Sequence, residues 1–424
     1  MIANTLADLE ALRDLARKNF KVERVGMDSA SDWGLHDGAL QHASRGFFAV
    51  VGVRSRTEPR AEQVLLYQPQ AAITGLLHSV HEGQRHFLIQ ARAEPGCVDE
   101  VQFGPTIQST PANFMRMHGG AGSPYADEFI TYDPRVTITG DTTQSDLGQR
   151  YLMKSKRLIL AEYHGPLQAK PGFVWASADA IRDAIACNFF LNNDLRGLLS
   201  LSDWSAQPGR AGLEPASPSV MRSLSRPVRP DRLGRLHADL GTATAAYDTV
   251  ALDRLANWRL DGTGLHEVEP TQGFSVEFYK VQAALREVGS WSQPLVNSHG
   301  EGYCGLALRH NDEGVEVLVQ VAHEAGLASG SGVAPTFLHY PGARRGAVPQ
   351  GRTLIGTVES DEGGRFFRDV SRYEIFTAPD ADLPSGPSFH WLNLAELKLL
   401  LRTSNVCTIQ MRGLASQLVA LRDG

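Results

Sequence analysis

The chain has 424 residues, 42% of them hydrophobic and 21% charged, with a net charge of −6, and a chain of this length accommodates two domains of roughly 100–200 residues each. The acidic balance supplies no field for DNA or RNA, no apolar run is long enough to span a bilayer, and the first twenty residues lack the apolar core of a signal peptide. A soluble cytoplasmic protein with neither nucleic-acid nor membrane partners is therefore expected, and Cys97, Cys187, Cys304 and Cys407, which show no CxxC spacing, point to neither a zinc site nor a disulfide framework.

In chain order, the apolar spacing of Leu6–Ala16 predicts a helix. Short runs rich in Val, Ile, Leu and aromatics follow at Gly46–Val53, Glu62–Pro69, Arg85–Glu94, Val101–Thr110 and Arg157–Tyr163, separated by turn residues, and read as strands. A helical period returns over Ser177–Leu199, with Ser177 as N-cap. The segment Ser205–Arg232, rich in Pro, Ser, Gly and Arg, reads as an exposed linker, although Arg222, Arg226 and Arg229 offer an alternative role in gripping a ligand or partner. Several strands followed by a helix make each half α+β rather than an alternating βαβ sheet.

The halves repeat each other. Gln90, Glu94, Gly96, Pro105 and Thr106 recur 230 positions later as Gln320, Glu324, Gly326, Pro335 and Thr336. "VERVGMDSASDW" (22–33) resembles "YDTVALDRLANW" (247–258), and "SDLGQRYLMKSKR" (145–157) resembles "SDEGGRFFRDVSR" (360–372). The preserved order indicates duplication into two similar domains, since solenoid units are only 20–50 residues long. The expected division is 1–205, a linker 206–232, and 233–424.

A duplicated chain sorts its own residues. Positions kept in both halves are explained first by the fold: Trp33 as a core aromatic, with a base-stacking wall as the alternative, Glu94 and Glu324 as acceptors for backbone donors at a strand end, and Arg150 and Arg157 as braces of a strand–turn–strand. Positions in one half only are candidates for chemistry. The first half alone carries "NFMRMHGGAGSPY" (113–125), and Tyr151, Lys154 and Lys156 face Phe366, Asp369 and Ser371. Gly119, Gly120 and Gly122 permit close backbone approach to a bulky anion, and Arg116, Lys154 and Lys156 are the cations to neutralise a diphosphate. A flexible surface loop is the competing reading of the glycines. The loop is neither Walker A nor GxGxxG, which disfavours nucleoside triphosphatases and dinucleotide enzymes.

"LLYQPQ", "HFLIQARAEPGCVDEVQFGPTIQSTPANFMRMHGG", "QSDLGQRYLMKSKR", "SWSQPLV" and "VLVQVAHEAG" followed by "GVAPT" closely resemble the NDP-hexose 2,3-dehydratase family over almost the whole chain. The resemblance implies a homodimer whose subunit holds two Nudix-like domains, each a mixed sheet with flanking helices, with the first domain working and the second a degenerate scaffold. It implies a dTDP-linked 4-keto-6-deoxyhexose as substrate, loss of its C2 hydroxyl in deoxysugar and antibiotic biosynthesis, and a product passed to a 3-ketoreductase. No cofactor and no metal are expected. Two alternatives stand beside this reading, a Nudix-type hydrolase and a non-catalytic nucleotide-sugar-binding protein; the glutamate-rich REUxEExGU helix of Nudix hydrolases is missing from the sequence, which argues against the first, and a Nudix-like fold does not by itself imply hydrolysis.

Elimination next to a C4 ketone needs a base for the C3 proton, a donor for the charge developing on O4, and an acid for the departing C2 oxygen. His118, with an ordinary pKa near neutrality, is the first candidate for base or acid, with phosphate donation as its alternative; Tyr151 is the candidate enolate donor or acid. Gln108 and Asn113 are assigned to sugar hydroxyls. Arg116, Gly119, Gly120, Lys154 and Lys156 are assigned to the diphosphate, and Trp33 and Arg157 are carried as further substrate-binding candidates.

Overall fold

The structure is a computed structural model and describes residues 2–18, 20–58, 61–116, 122–131, 133–204, 212–241, 247–283, 288–343, 346, 348 and 351–423. It is mixed α and β, mostly sheet with few helices. In the first half the strands Phe173–Ser177, Gln84–Ala93, Ala72–His81, Ser155–Tyr163 and Val136–Ser145 lie side by side in that order. In the second half Phe389–Asn393, Gly314–His323, Glu301–Asn311, Val370–Thr377 and Arg352–Ser360 pair in the same sequence. Ser155–Tyr163 runs parallel to Ala72–His81, and Val370–Thr377 runs parallel to Glu301–Asn311. Shared side-chain bonds track the shared strands: Thr106 accepts from the Leu77 amide and donates to the Leu88 carbonyl, and Thr336 does the same with Ala307 and Leu318.

The halves are interlocked. Phe20–Val25 pairs antiparallel with Phe274–Ala283 of the second half, and Tyr247–Val250 pairs antiparallel with Ala49–Ser55 of the first. The helices Asn193–Leu201 and Ile409–Ala420 pack against each other at the centre. Every residue of the first is buried, as are Ile409–Val419 of the second, polar ones included, so their polar side chains need partners inside the protein. Their arginines reach across. Arg196 pairs with Glu359 at 3.1 Å, and Arg412 donates to the Ser145 carbonyl at 2.8 Å.

Two glycines set the closest approach. The Gly96 amide donates to the Gly363 carbonyl at 2.8 Å and the Gly326 amide to the Gly148 carbonyl at 2.7 Å. A Cβ on Gly96 would strike the Glu362 carbonyl, and one on Gly326 the Tyr151 carbonyl. That is why this pair recurs in the sequence: each half presses a strand-end loop onto the other's turn.

The segment expected to be an exposed linker is partly built into the fold, a correction to that reading. Pro218–Leu224 is a helix, with Ser217 as its cap and Val220 fully buried, because Ser223 donates to the Val315 carbonyl and Asp423 accepts from Ser219. Arg226 and Arg229 engage Glu313. Among the described residues no helix is long and apolar enough to cross a membrane.

Candidate functional site

A cavity opens where the first-half sheet meets the second-half turn 361–366. One wall is aromatic. Trp33 packs against Phe48 with ring centroids 4.8 Å apart, His42 stands edge-on to Trp33 at 5.5 Å, and Phe47 and Trp291 complete the lining. The antiparallel register that sets Trp33 opposite His42 brings the two rings together. Trp33 is thus both core and wall, 5% exposed, with its indole N–H donating to the Ser292 carbonyl at 2.9 Å.

The floor is charged and buried. Lys154 and Lys156 lie 3.2 and 3.0 Å from Asp146, and Lys156 lies 2.7 Å from Asp194 in the first turn of the central helix. Burial works against both carboxylate and ammonium charge here. Even so, Lys154 and Lys156 hold Asp146 well below the usual carboxylate range, and Asp146 with Asp194 holds Lys156 above the usual lysine value. Lys154 has less compensation, and burial lowers it. Arg92 and Glu94 pair at 2.6 Å beside this floor.

The second half supplies Glu362, Gly364, Arg365, Trp291, Ser292 and Gln293 to the same lining. Burial raises the Glu362 carboxyl although Lys154 and Arg365 oppose the shift. His42 is lowered by burial, which favours its uncharged form.

Of the residues singled out in the sequence, Trp33, Gln108, Asn113, Lys154 and Lys156 meet at this cavity. Gln108 accepts from Asn192 at 3.0 Å, and Asn113 sits in the short helix Pro111–Phe114. Lys154 and Lys156 line the cavity together with carboxylate partners, Asp146 for both and Asp194 for Lys156, which balance much of their charge. Tyr151 does not line the cavity. Its ring lies under the Lys154 ammonium at 3.8 Å, its buried hydroxyl has no partner among the described residues, and burial raises it well above the ordinary tyrosine value. That corrects its reading as an enolate donor, because the phenol supports Lys154 from behind. Arg157 is also outside, paired with Asp141 at the surface, because its strand turns that face away from the cavity. Arg116 is exposed, with positive φ, and does not reach the lining. His118, Gly119 and Gly120 lie outside the described residues.

Sequence reasoning missed His42, Arg92, Glu362 and Arg365. Glu362 was visible in the repeat: it faces Leu147 at the offset that sets Lys154 against Asp369. Sorting for residues special to the first half alone passed over a residue special to the second.

A family model described as NDP-hexose 2,3-dehydratase matches residues 9–201 and again 236–418. Two relatives named dTDP-4-dehydro-6-deoxy-alpha-D-glucopyranose 2,3-dehydratase, from Streptomyces violaceoruber and Saccharopolyspora spinosa, are each 28% identical. Both alignments cover 96% of this chain, and 95% and 89% of the respective relatives. A third of the same name, from Amycolatopsis orientalis, is 27% identical over 93% of this chain and 86% of its own length.

Proposed function

Because the chain belongs to the NDP-hexose 2,3-dehydratase family, we propose that it eliminates the C2 hydroxyl of dTDP-4-keto-6-deoxyglucose, giving the 3,4-diketo-2,6-dideoxy sugar nucleotide. The observation that carries this reading is the junction of an aromatic wall with a buried lysine–carboxylate floor in one cavity. The wall accepts a nucleobase, and the floor suits a reaction in which charge appears on a ketone oxygen.

Removal of the C3 proton leaves an enolate whose charge rests on O4. Ammonium groups fixed in a dry site stabilise such charge without reorganising, and Lys154 and Lys156 are fixed by Asp146, Asp194 and the Tyr151 ring. Glu362, raised by burial, is the acid that protonates the departing C2 oxygen. His118, five residues beyond the cavity-lining Asn113, remains the first candidate for the base, with His42 as the second. The enol formed tautomerises to the diketone, and no redox cofactor enters.

The proposal extends to two Nudix-like domains, 1–205 and 233–424, joined by 206–232 and descended from one duplicated unit. The repeated family match and the matching strand order support it. It also includes a cytoplasmic homodimer, a role in deoxysugar and antibiotic biosynthesis, and delivery of the product to a 3-ketoreductase.

The test supplies dTDP-4-keto-6-deoxyglucose to the purified protein together with a 3-ketoreductase that traps the labile diketone. Protein-dependent consumption of the reductant is expected. Binding without turnover would replace the enzyme with a binding protein, and release of dTMP would replace it with a hydrolase; either result sinks the proposal.

A further inference from the structure

Four lysines and arginines line the cavity among the described residues. Arg92 is paired with Glu94, Lys154 with Asp146, and Lys156 with Asp146 and Asp194. Arg365 has no carboxylate within ion-pair distance among the described residues. Its guanidinium carbon lies 4.6 Å over the Phe48 ring, one N–H donates to the Gly364 carbonyl at 3.0 Å, and its buried Nε has no partner among the described residues. An arginine presents five N–H donors in a planar fork, so most of this one is uncommitted.

The matching residue of the first half shows what a structural arginine looks like here. Arg150 lies 4.4 Å over the Phe274 ring and 5.6 Å from the Tyr340 ring, donates to the Pro341 carbonyl at 2.9 Å, and is 4% exposed. Both arginines leave a buried Nε without a partner among the described residues; Arg365 keeps the seat over phenylalanine and lacks the second carbonyl partner, and its fork borders the open cavity.

Position adds the chemical meaning. Phe48 belongs to the aromatic wall, and Arg365 also acts electrostatically on Glu362 and Lys154 at the floor. It therefore bridges the wall and the floor. A sugar nucleotide with its base on the wall and its hexose on the floor carries its diphosphate between them.

We propose that Arg365 is the diphosphate anchor, so that the second half holds by its charge the substrate that the first half transforms. This rests on the sugar-nucleotide reading above. A guanidinium matches phosphate oxygens two at a time, and the ion-paired lysines leave this contact to it.

Calorimetry on the full-length protein with dTDP and with thymidine separates charge recognition from wall packing. Arg365→Gln should weaken dTDP binding by roughly 10- to 100-fold, the span of one or two charge-assisted hydrogen bonds, and leave thymidine binding within about twofold. Arg365→Lys should recover part of the dTDP affinity, and turnover of either variant should show a raised KM with kcat largely kept. Unchanged dTDP binding in Arg365→Gln overturns the proposal. So does equal loss of dTDP and thymidine with a lowered Tm, which would make Arg365 a brace for Phe48. A wild-type chain that turns over the sugar nucleotide while Arg365→Gln binds normally defeats this assignment alone; a wild type that neither binds nor turns it over defeats the functional reading and the anchor with it.

Discussion

Thr110 and Tyr340 stand at the same place in the two halves, 230 positions apart, and the contrast between them separates an open cavity from a filled one. Thr110 lines the cavity beside Glu94. Tyr340 is 5% exposed, packs in one cluster with Trp258 and Phe274, and donates its hydroxyl to Glu324 at 3.0 Å. Around this pair the other differences agree. His42 faces Glu267 in the matching register, Arg92 matches Ala322, Lys154 matches Asp369, and Glu362 matches Leu147. One junction is left open and lined by Lys154, Lys156 and Glu362, and the other is closed by an aromatic ring. Each junction is built from both halves, so the contrast is between an open and a filled junction rather than between two separate halves.

The largest effects should come from the charged groups of the open junction. Lys154→Met and Glu362→Leu, the latter importing the first half's own leucine, should each lower kcat by roughly 10²–10³-fold, the usual scale for an oxyanion donor or a general acid. Asp369→Asn, at the position matching Lys154, should leave kcat within about twofold in the same coupled assay, since its carboxylate serves Ser298 away from the cavity. A collapse of kcat in Asp369→Asn with the fold intact would break the comparison.

Next in size are the glycine contacts that hold both junctions. Gly96→Ala and Gly326→Ala force a methyl into a facing carbonyl and should each cost about 1–3 kcal/mol in denaturant unfolding. A loss in only one of the two would show that the junctions are not equivalent in construction.

The smallest effect is a pH dependence on the filled side. Burial raises Asp361 and Glu324 to about 7 and Asp369 to about 6, so the folded chain holds these protons more tightly than the unfolded chain. That contribution to stability is complete below about pH 4 and is lost as pH rises through 7. Asp361→Asn should therefore flatten the decline of Tm between about pH 4 and pH 7; an unchanged slope would remove Asp361 as its source.

Much of this was legible in the sequence. The repeat offsets put Gln84–Ala93 on Gly314–His323 and Ile107–Ser109 on Phe337–His339, because identical strands need the same alternation and the same turn residues. The value of Lys154 and Lys156 was legible too, as cations missing from the other half. Their partners were not: Asp146 is kept in both halves as Asp361, and only the folded chain shows it gripping two lysines in one case and Ser371 in the other. The exchange of Phe20–Val25 for Tyr247–Val250 was equally invisible, since a strand's pattern fixes which face is buried and not which sheet it joins. Glu362 and Arg365 reach the first half's cavity through that interlocking.

The central claim, one working junction opened by a small side chain, is tested most directly by exchanging that side chain. Thr110→Tyr and Tyr340→Thr would be compared for turnover of dTDP-4-keto-6-deoxyglucose with Tm recorded alongside. Thr110→Tyr should abolish turnover with the fold retained. Tyr340→Thr should lose about 2–4 kcal/mol of stability to the cavity it leaves and keep its turnover below its melting range. Full activity in Thr110→Tyr, or loss of activity in a folded Tyr340→Thr, would place the working site at the other junction.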